Sequence, residues 1–208
     1  MLYITKLRKC EIMDERMKKQ IDFILEIDKE KNIYRQTHLS GHGRNENDAE
    51  HAWHMAIMAY LLQEYSNEPV DIAKVMIMCL LHDVVEIDAG DTYAYDPKGL
   101  ETQKFREDAA KKRIYSLLPD DQKEELMALF DEFEAYETPE SKFAHAMDNF
   151  QPLLLNNSND GGDWKEHGVS AKTIYGRQGQ TVKGSQRIFN VIDDIIQSHV
   201  RKGTIKAD

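Results

Sequence analysis

The chain has 208 residues, with 27 Lys and Arg against 37 Asp and Glu and a formal net charge of −10. That balance repels the phosphate backbone of DNA or RNA and the anionic face of a membrane, so neither polymeric nucleic acid nor membrane is an expected partner. A small anion held by a local metal ion or arginine stays open. A hydrophobic fraction of 41% and a charged fraction of 31% describe a globular chain, long enough to bury a core and short enough to form a single domain. The two cysteines, Cys10 and Cys79, have neither thiolate-metal spacing nor the density of a disulfide framework. Lys6, Arg8, Lys9 and Glu11 interrupt the N-terminal stretch, and the longest apolar run, Val75 to Leu81, is too short to span a bilayer. A cytoplasmic location is therefore expected.

In chain order, Met13, Met17, Ile21, Ile24 and Leu25 recur at three-to-four spacing and predict a first helix through about Ile27. Residues 36–47, with Gly41 and Gly43, read as a loop. Asn47 or Asp48 can cap a second helix carrying His51, Met55, Met58, Ala59 and Leu62 along one side, closed by Asn67, Glu68 and Pro69. Asp71 opens a third, whose middle from Val75 to Leu81 is apolar all round and so predicts burial at the centre of a bundle, with Gly90 as its end. Asp91 to Gly99 reads as a loop. Further helices are expected at about 100–118, 120–136, 139–155 and 184–200, with Pro119 and Pro139 in first-turn positions. Residues 156–183 form an irregular excursion, suited to a lid, between a core of about 13–155 and the C-terminal helix. The expected fold is all-α, a single-domain helical bundle. Trp53 and Trp164 read as core or lid packing.

Four residues in these helices carry chemistry: His51, the adjacent His82 and Asp83, and Asp148. Neutral imidazoles and ionised carboxylates are ligands for a borderline divalent cation, and the two carboxylate charges would neutralise it. Neighbouring residues diverge by about 100° on a helix, so His82 and Asp83 need ligands from other helices to converge with them on one ion. His51 and Asp148 supply those. Four protein ligands leave an octahedral ion open to water and a substrate oxygen, which is the character of a catalytic centre. Taken singly, each of the four is an ordinary core histidine or solvated aspartate.

Glu86 lies four positions after His82 and three after Asp83, on the expected ligand face, where a carboxylate can exchange a proton with metal-bound water or a leaving group. Asp91 could fix the nucleophilic water. Without a metal both would read as a solvent-facing glutamate and a loop residue. His54 and His145 lie three positions from proposed ligands, and read as packing or supporting residues more readily than as holders of a second ion.

The pattern of His51, His82-Asp83 and Asp148 resembles the signature of the HD-domain metal-dependent phosphohydrolases. The segments Arg44 to His51 and His82 to Asp91 are similar to the branch of the bacterial 5'-deoxynucleotidases, and the likeness covers about residues 13–155. The resemblance implies a helical fold, one divalent ion (manganese, cobalt, iron or magnesium), and hydrolysis of nucleoside 5'-monophosphates to nucleoside and phosphate. It puts Glu86 and Asp91 on the catalytic acidic positions and Arg35 on the phosphate-binding arginine, with one residue inserted before His51. Arg44 is the fallback cation, unless Glu46 or Glu50 holds it on the surface. A homodimer is the usual assembly of such folds.

Three rival functions remain: cleavage of a phosphoanhydride or cyclic phosphodiester, a regulatory module that binds nucleotide and metal without turnover, and a structural helical interaction protein. A binder has no need of Glu86 and Asp91 beside the ligands. An interaction protein leaves polar residues on a buried helix without purpose.

Overall fold

The computed structural model describes residues 14–90 and 97–207, in which helices α1 (Glu15–Ile27), α2 (Asp48–Leu62) and α3 (Ile72–Leu81) follow the sequence expectations closely. Asp14 caps α1 by accepting from the Met17 N–H at 2.7 Å. Asn47 and Glu50 form a reciprocal capping box at the start of α2, each side chain accepting from the other's backbone N–H. Asp71 caps α3.

The expected loop at 36–47 instead belongs to a small antiparallel ribbon of β1 (Tyr34–His38) and β2 (Asn45–Asn47). Its turn carries Gly41 and His42 in the left-handed region. Both strands are almost wholly polar, so no apolar alternation marks them in the sequence.

Helix α3 does not run on to Gly90. It stops at Leu81, the chain tightens through bonds from the Val84 N–H to the Leu81 carbonyl and from the Glu86 N–H to the Asp83 carbonyl, and a short α4 (Glu86–Ala89) follows. Gly90, with φ of +75°, ends α4. Nor is α3 buried on every side, because Ile77 and Leu80 are each about 40% exposed.

Beyond the break come α5 (Pro97–Tyr115), α6 (Asp120–Ala135) and α7 (Pro139–Ser158), with Pro139 at the start of α7 and Pro119 as the N-cap of α6. Pro152 lies inside α7, four residues after Asp148, so the helix lacks the bond that would tie up the Asp148 carbonyl. The expected irregular excursion contains α8 (Gly162–Glu166), α9 (Ala171–Gln178) and α10 (Thr181–Gly184), and α11 (Gln186–Lys202) follows. Val169, Ala171 and Ile174 from this stretch are buried in the main core with Met55, Met78, Phe143 and Ile192, so it is built into the fold.

A second core gathers Phe23, Val84, Ile114, Tyr115 and Phe130. The chain leaves the first core after Met78 and Cys79 and enters the second at Leu81, Val84 and Val85. His82 and Asp83 sit at that crossing. Among the described residues no helix is long and apolar enough to cross a membrane.

Candidate functional site

His51 on α2, His82 and Asp83 at the end of α3, and Asp148 on α7 converge, although they come from three helices. Ligand atoms of His51, His82 and Asp83 all lie within 4.8 Å of one another. The Asp148 Oδ1 is 3.3 Å from His51 Nε2 and 4.0 Å from His82 Nε2, and Asp83 Oδ2 is 3.1 Å from His82 Nε2.

Hydrogen bonds on the far side of each ring fix what the near side can do. The His82 Nδ1 faces the Cys79 carbonyl at 2.9 Å, an acceptor only, so Nδ1 carries the proton. Gln151 Nε2 donates to Glu46 at 2.8 Å, which turns its amide oxygen toward His51 Nδ1 at 2.9 Å and gives that nitrogen the proton too. Both Nε2 atoms are left facing carboxylate oxygens, and His82 Nε2 is buried without a hydrogen-bond partner. Such a pairing calls for a positive charge between the atoms, supplied by a proton or by a metal ion. Histidines that ligate metals are held in this manner by carbonyls and amides behind the ring.

The electrostatics point the same way. Burial opposes charge on His82, but the Asp83 and Asp148 carboxylates outweigh it and push its pKa up to about 9. Burial, with Arg35 nearby, depresses His51 to about 4. Burial also works against ionised Asp83 and Asp148, yet His82 and Arg35 hold the first, and His51 and Arg177 the second, well below the usual carboxylate range. Burial raises Glu46 to about 7. A divalent cation would answer this concentration of acid with nitrogen and oxygen donors already aimed, so the residues fit a metal.

His82, Asp83 and Asp148 line a cavity of about 640 Å³ with Arg35, Glu86 and Arg177, and His51 stands behind that wall, within the range of small-molecule sites. Glu86 reaches that wall for a reason the helical spacing did not supply: it begins α4 after the turn, instead of continuing α3. Arg35 on β1 also lines the cavity, but its guanidinium is engaged by Asp83 at 2.7 Å, Asp48 at 3.3 Å and Glu46 at 3.7 Å. Arg44 is not brought to the site. It pairs with Glu50 on the surface and also donates to the Asn45 carbonyl at 2.8 Å. Asp91 and most of its expected loop lie outside the described residues.

His54 and His145 have other partners. His54 Nδ1 meets Gln151 Nε2 at 3.1 Å, and His145 stacks on Phe133 while its Nε2 bonds the Phe133 carbonyl at 2.9 Å. Trp164 is buried against His199, whereas Trp53 is 63% exposed and so is not core packing. Sequence reasoning missed Gln151 and Arg177. Gln151 follows Asp148 by three on α7, a spacing that could have flagged it; nothing near Arg177 could have.

The family model described as HD domain matches residues 27–189. The chain is 31% identical over 111 residues to the 5'-deoxynucleotidase HDDC2 of Homo sapiens, a match covering 53% of each chain. It is 30% identical over 122 residues to the HDDC2 of Xenopus laevis, covering 59% of this chain and 57% of that one. It thus spans about half the length of the curated relatives it matches. A predicted metal-dependent phosphohydrolase from Magnetospirillum magnetotacticum MS-1 superposes with a TM-score of 0.87 at 45% identity, over 91% of this chain and 95% of that one. The PH0347 protein of Pyrococcus horikoshii OT3, at 17% identity and a TM-score of 0.57 over 87% of this chain and 98% of that one, shares the fold. With the metal-ready cluster sitting inside the matched span, the chain belongs to the HD domain family.

Proposed function

We propose that the protein is a metal-dependent phosphohydrolase that releases inorganic phosphate from nucleoside 5'-monophosphates. One observation carries this reading: two imidazole Nε2 atoms, their Nδ1 protons already committed, converge on two carboxylates at the wall of a nucleotide-sized cavity. The names of the relatives above support the same class and put deoxyribonucleotides at the head of any substrate panel.

His51, His82, Asp83 and Asp148 would hold one divalent ion, and such donors do not select sharply among manganese, cobalt, iron and magnesium. When bound, the ion would polarise a phosphoryl oxygen and lower the pKa of a water. Glu86 is the buried carboxylate that takes a proton from the attacking water as its oxygen bonds to phosphorus, and returns one to the departing 5'-oxygen. Asp91 is the second carboxylate for that proton relay or for orienting the water. Arg35, beside Asp83, turns positive charge toward the same end of the cavity. Arg44 has no part in it.

Two finer expectations go with this reading. One is a homodimer, supported by the exposed face of Trp53, Ile57, Tyr60 and Leu61 on α2 and by Ile77 and Leu80 on the adjoining α3. The other is a cytoplasmic location, where a nucleotidase meets its substrates. Product analysis tests the central reading. Nucleoside and free phosphate are expected from monophosphates. Pyrophosphate released from triphosphates, or a nucleotide released from a cyclic diester, with no phosphate from monophosphates, would replace it.

A further inference from the structure

We propose that Arg177, on α9, is a substrate-binding residue that grips the outer phosphate oxygens of the nucleotide. The proposal rests on the phosphohydrolase reading above and names a residue that neither the motifs nor the expected phosphate arginine include. Among the described residues lining the cavity, Arg35 and Arg177 are the two that carry a permanent positive charge, against carboxylates at Asp83, Glu86, Glu107, Glu134, Asp148 and Asp163. Besides the metal ion, a phosphate dianion entering such a cavity has those two guanidinia to meet its charge.

They are not equally free to serve. Arg35 already faces three carboxylates within 3.7 Å and its side chain is 12% exposed. Among the described residues Arg177 has one ion pair, with Asp148 at the longer distance of 3.6 Å, and its side chain is 30% exposed. Asp148 is a carboxylate that a cation would engage, which leaves the planar fork of Arg177 for an anion, in the paired hydrogen bonds that guanidinium and phosphate geometry allow.

The fold also fixes where Arg177 stands. Its Nε donates to the Asn149 Oδ1 at 3.2 Å, and Gln178 donates to the Asn149 carbonyl at 2.8 Å, so two consecutive residues of α9 are tied to the residue after Asp148. On its other side α9 is held by Tyr175, whose hydroxyl donates to Asp193 and accepts from Gln197 at 2.9 Å. At its start, the Ser170 cap lies in a bridge to Lys206. Such bracing belongs to a fixed wall of the cavity, a better anchor for a phosphate than a mobile lid.

The test compares the parent with Arg177→Ala and Arg177→Lys, each loaded with manganese. Titration calorimetry with inorganic phosphate should show the Kd rising about 10- to 100-fold in Arg177→Ala, the loss expected for one charge-assisted pair, with Arg177→Lys between. KM for a nucleoside monophosphate should rise in step while manganese stoichiometry and Tm stay at the parent values, which a merely structural role would not produce. A parent-like phosphate Kd and KM in Arg177→Ala would overturn the proposal and leave the hydrolase reading intact. A parent that binds phosphate through Arg177 yet hydrolyses no nucleotide would sink the hydrolase reading alone. A parent that binds no phosphate would overturn both.

Discussion

His51, His82, Asp83 and Asp148 were legible in the sequence because ligand chemistry is written in residue type, and chance does not readily place four such residues with extended motifs around two of them. Their supports were not, since a Gln151 amide or a Cys79 carbonyl becomes part of a site only through a hydrogen bond formed on folding. Arg177 was hidden for a further reason: it lies in a stretch of short helices with weak periodicity, and its proximity to Asp148 is made by α9 packing on α7. Arg44 shows the converse, a motif arginine that the capping glutamate Glu50 draws to the surface. Glu86 separates proton transfer from ion binding. It lines the cavity but is not among the four proposed ligands, so Glu86→Gln keeps size and most hydrogen bonding while removing the basic carboxylate. Its kcat should fall by about 10²- to 10⁴-fold with KM and manganese content little changed. Stopped assays alongside elemental analysis check this, and parent-like turnover would move the proton transfer to Asp91 or to water.

The long helices α1, α2, α6, α7 and α11 were readable from spacing, caps and first-turn prolines, whereas the ribbon of β1 and β2 and the break after Leu81 were not. The ribbon is too polar to alternate. The break carries no Gly or Pro, and what it accomplishes is to bring His82 and Asp83 toward one point, which a continuing helix would oppose by about 100° of rotation per residue. Close packing of α10 on α7 offers a test at this level. A Cβ at Gly184 would lie 2.1 Å from the Lys142 carbonyl oxygen, backbone that cannot swing aside. Gly184→Ala should therefore destabilise the fold by about 1–3 kcal/mol, lowering Tm by several degrees in a thermal melt. Gly176, in α9, meets nothing within 4 Å, so Gly176→Ala should hold or raise Tm through better helix propensity. Equal melts for the two variants would mean that α10 and α7 are not so tightly joined.

For the molecule as a whole, the apolar residues left outside are as informative as those inside. Trp53, Ile57, Tyr60 and Leu61 recur on one exposed face of α2, an arrangement suited to a self-complementary pairing. Light scattering should give a dimer mass for the parent and a monomer mass for Leu61→Glu, whereas a monomeric parent would remove the dimer from the account. In the proposed function a single divalent ion at the crossing of the two cores makes this fold a nucleotide phosphohydrolase. Its most direct test is phosphate release from a panel of nucleoside 5'-monophosphates by parent and His82→Ala protein, each stripped with chelator, dialysed and reloaded with manganese, with metal content measured in parallel. The parent should lose activity on stripping and regain it with one manganese per chain, while His82→Ala should bind little metal and release little phosphate. Stoichiometric manganese in His82→Ala, or activity in the parent that survives complete stripping, would contradict the account.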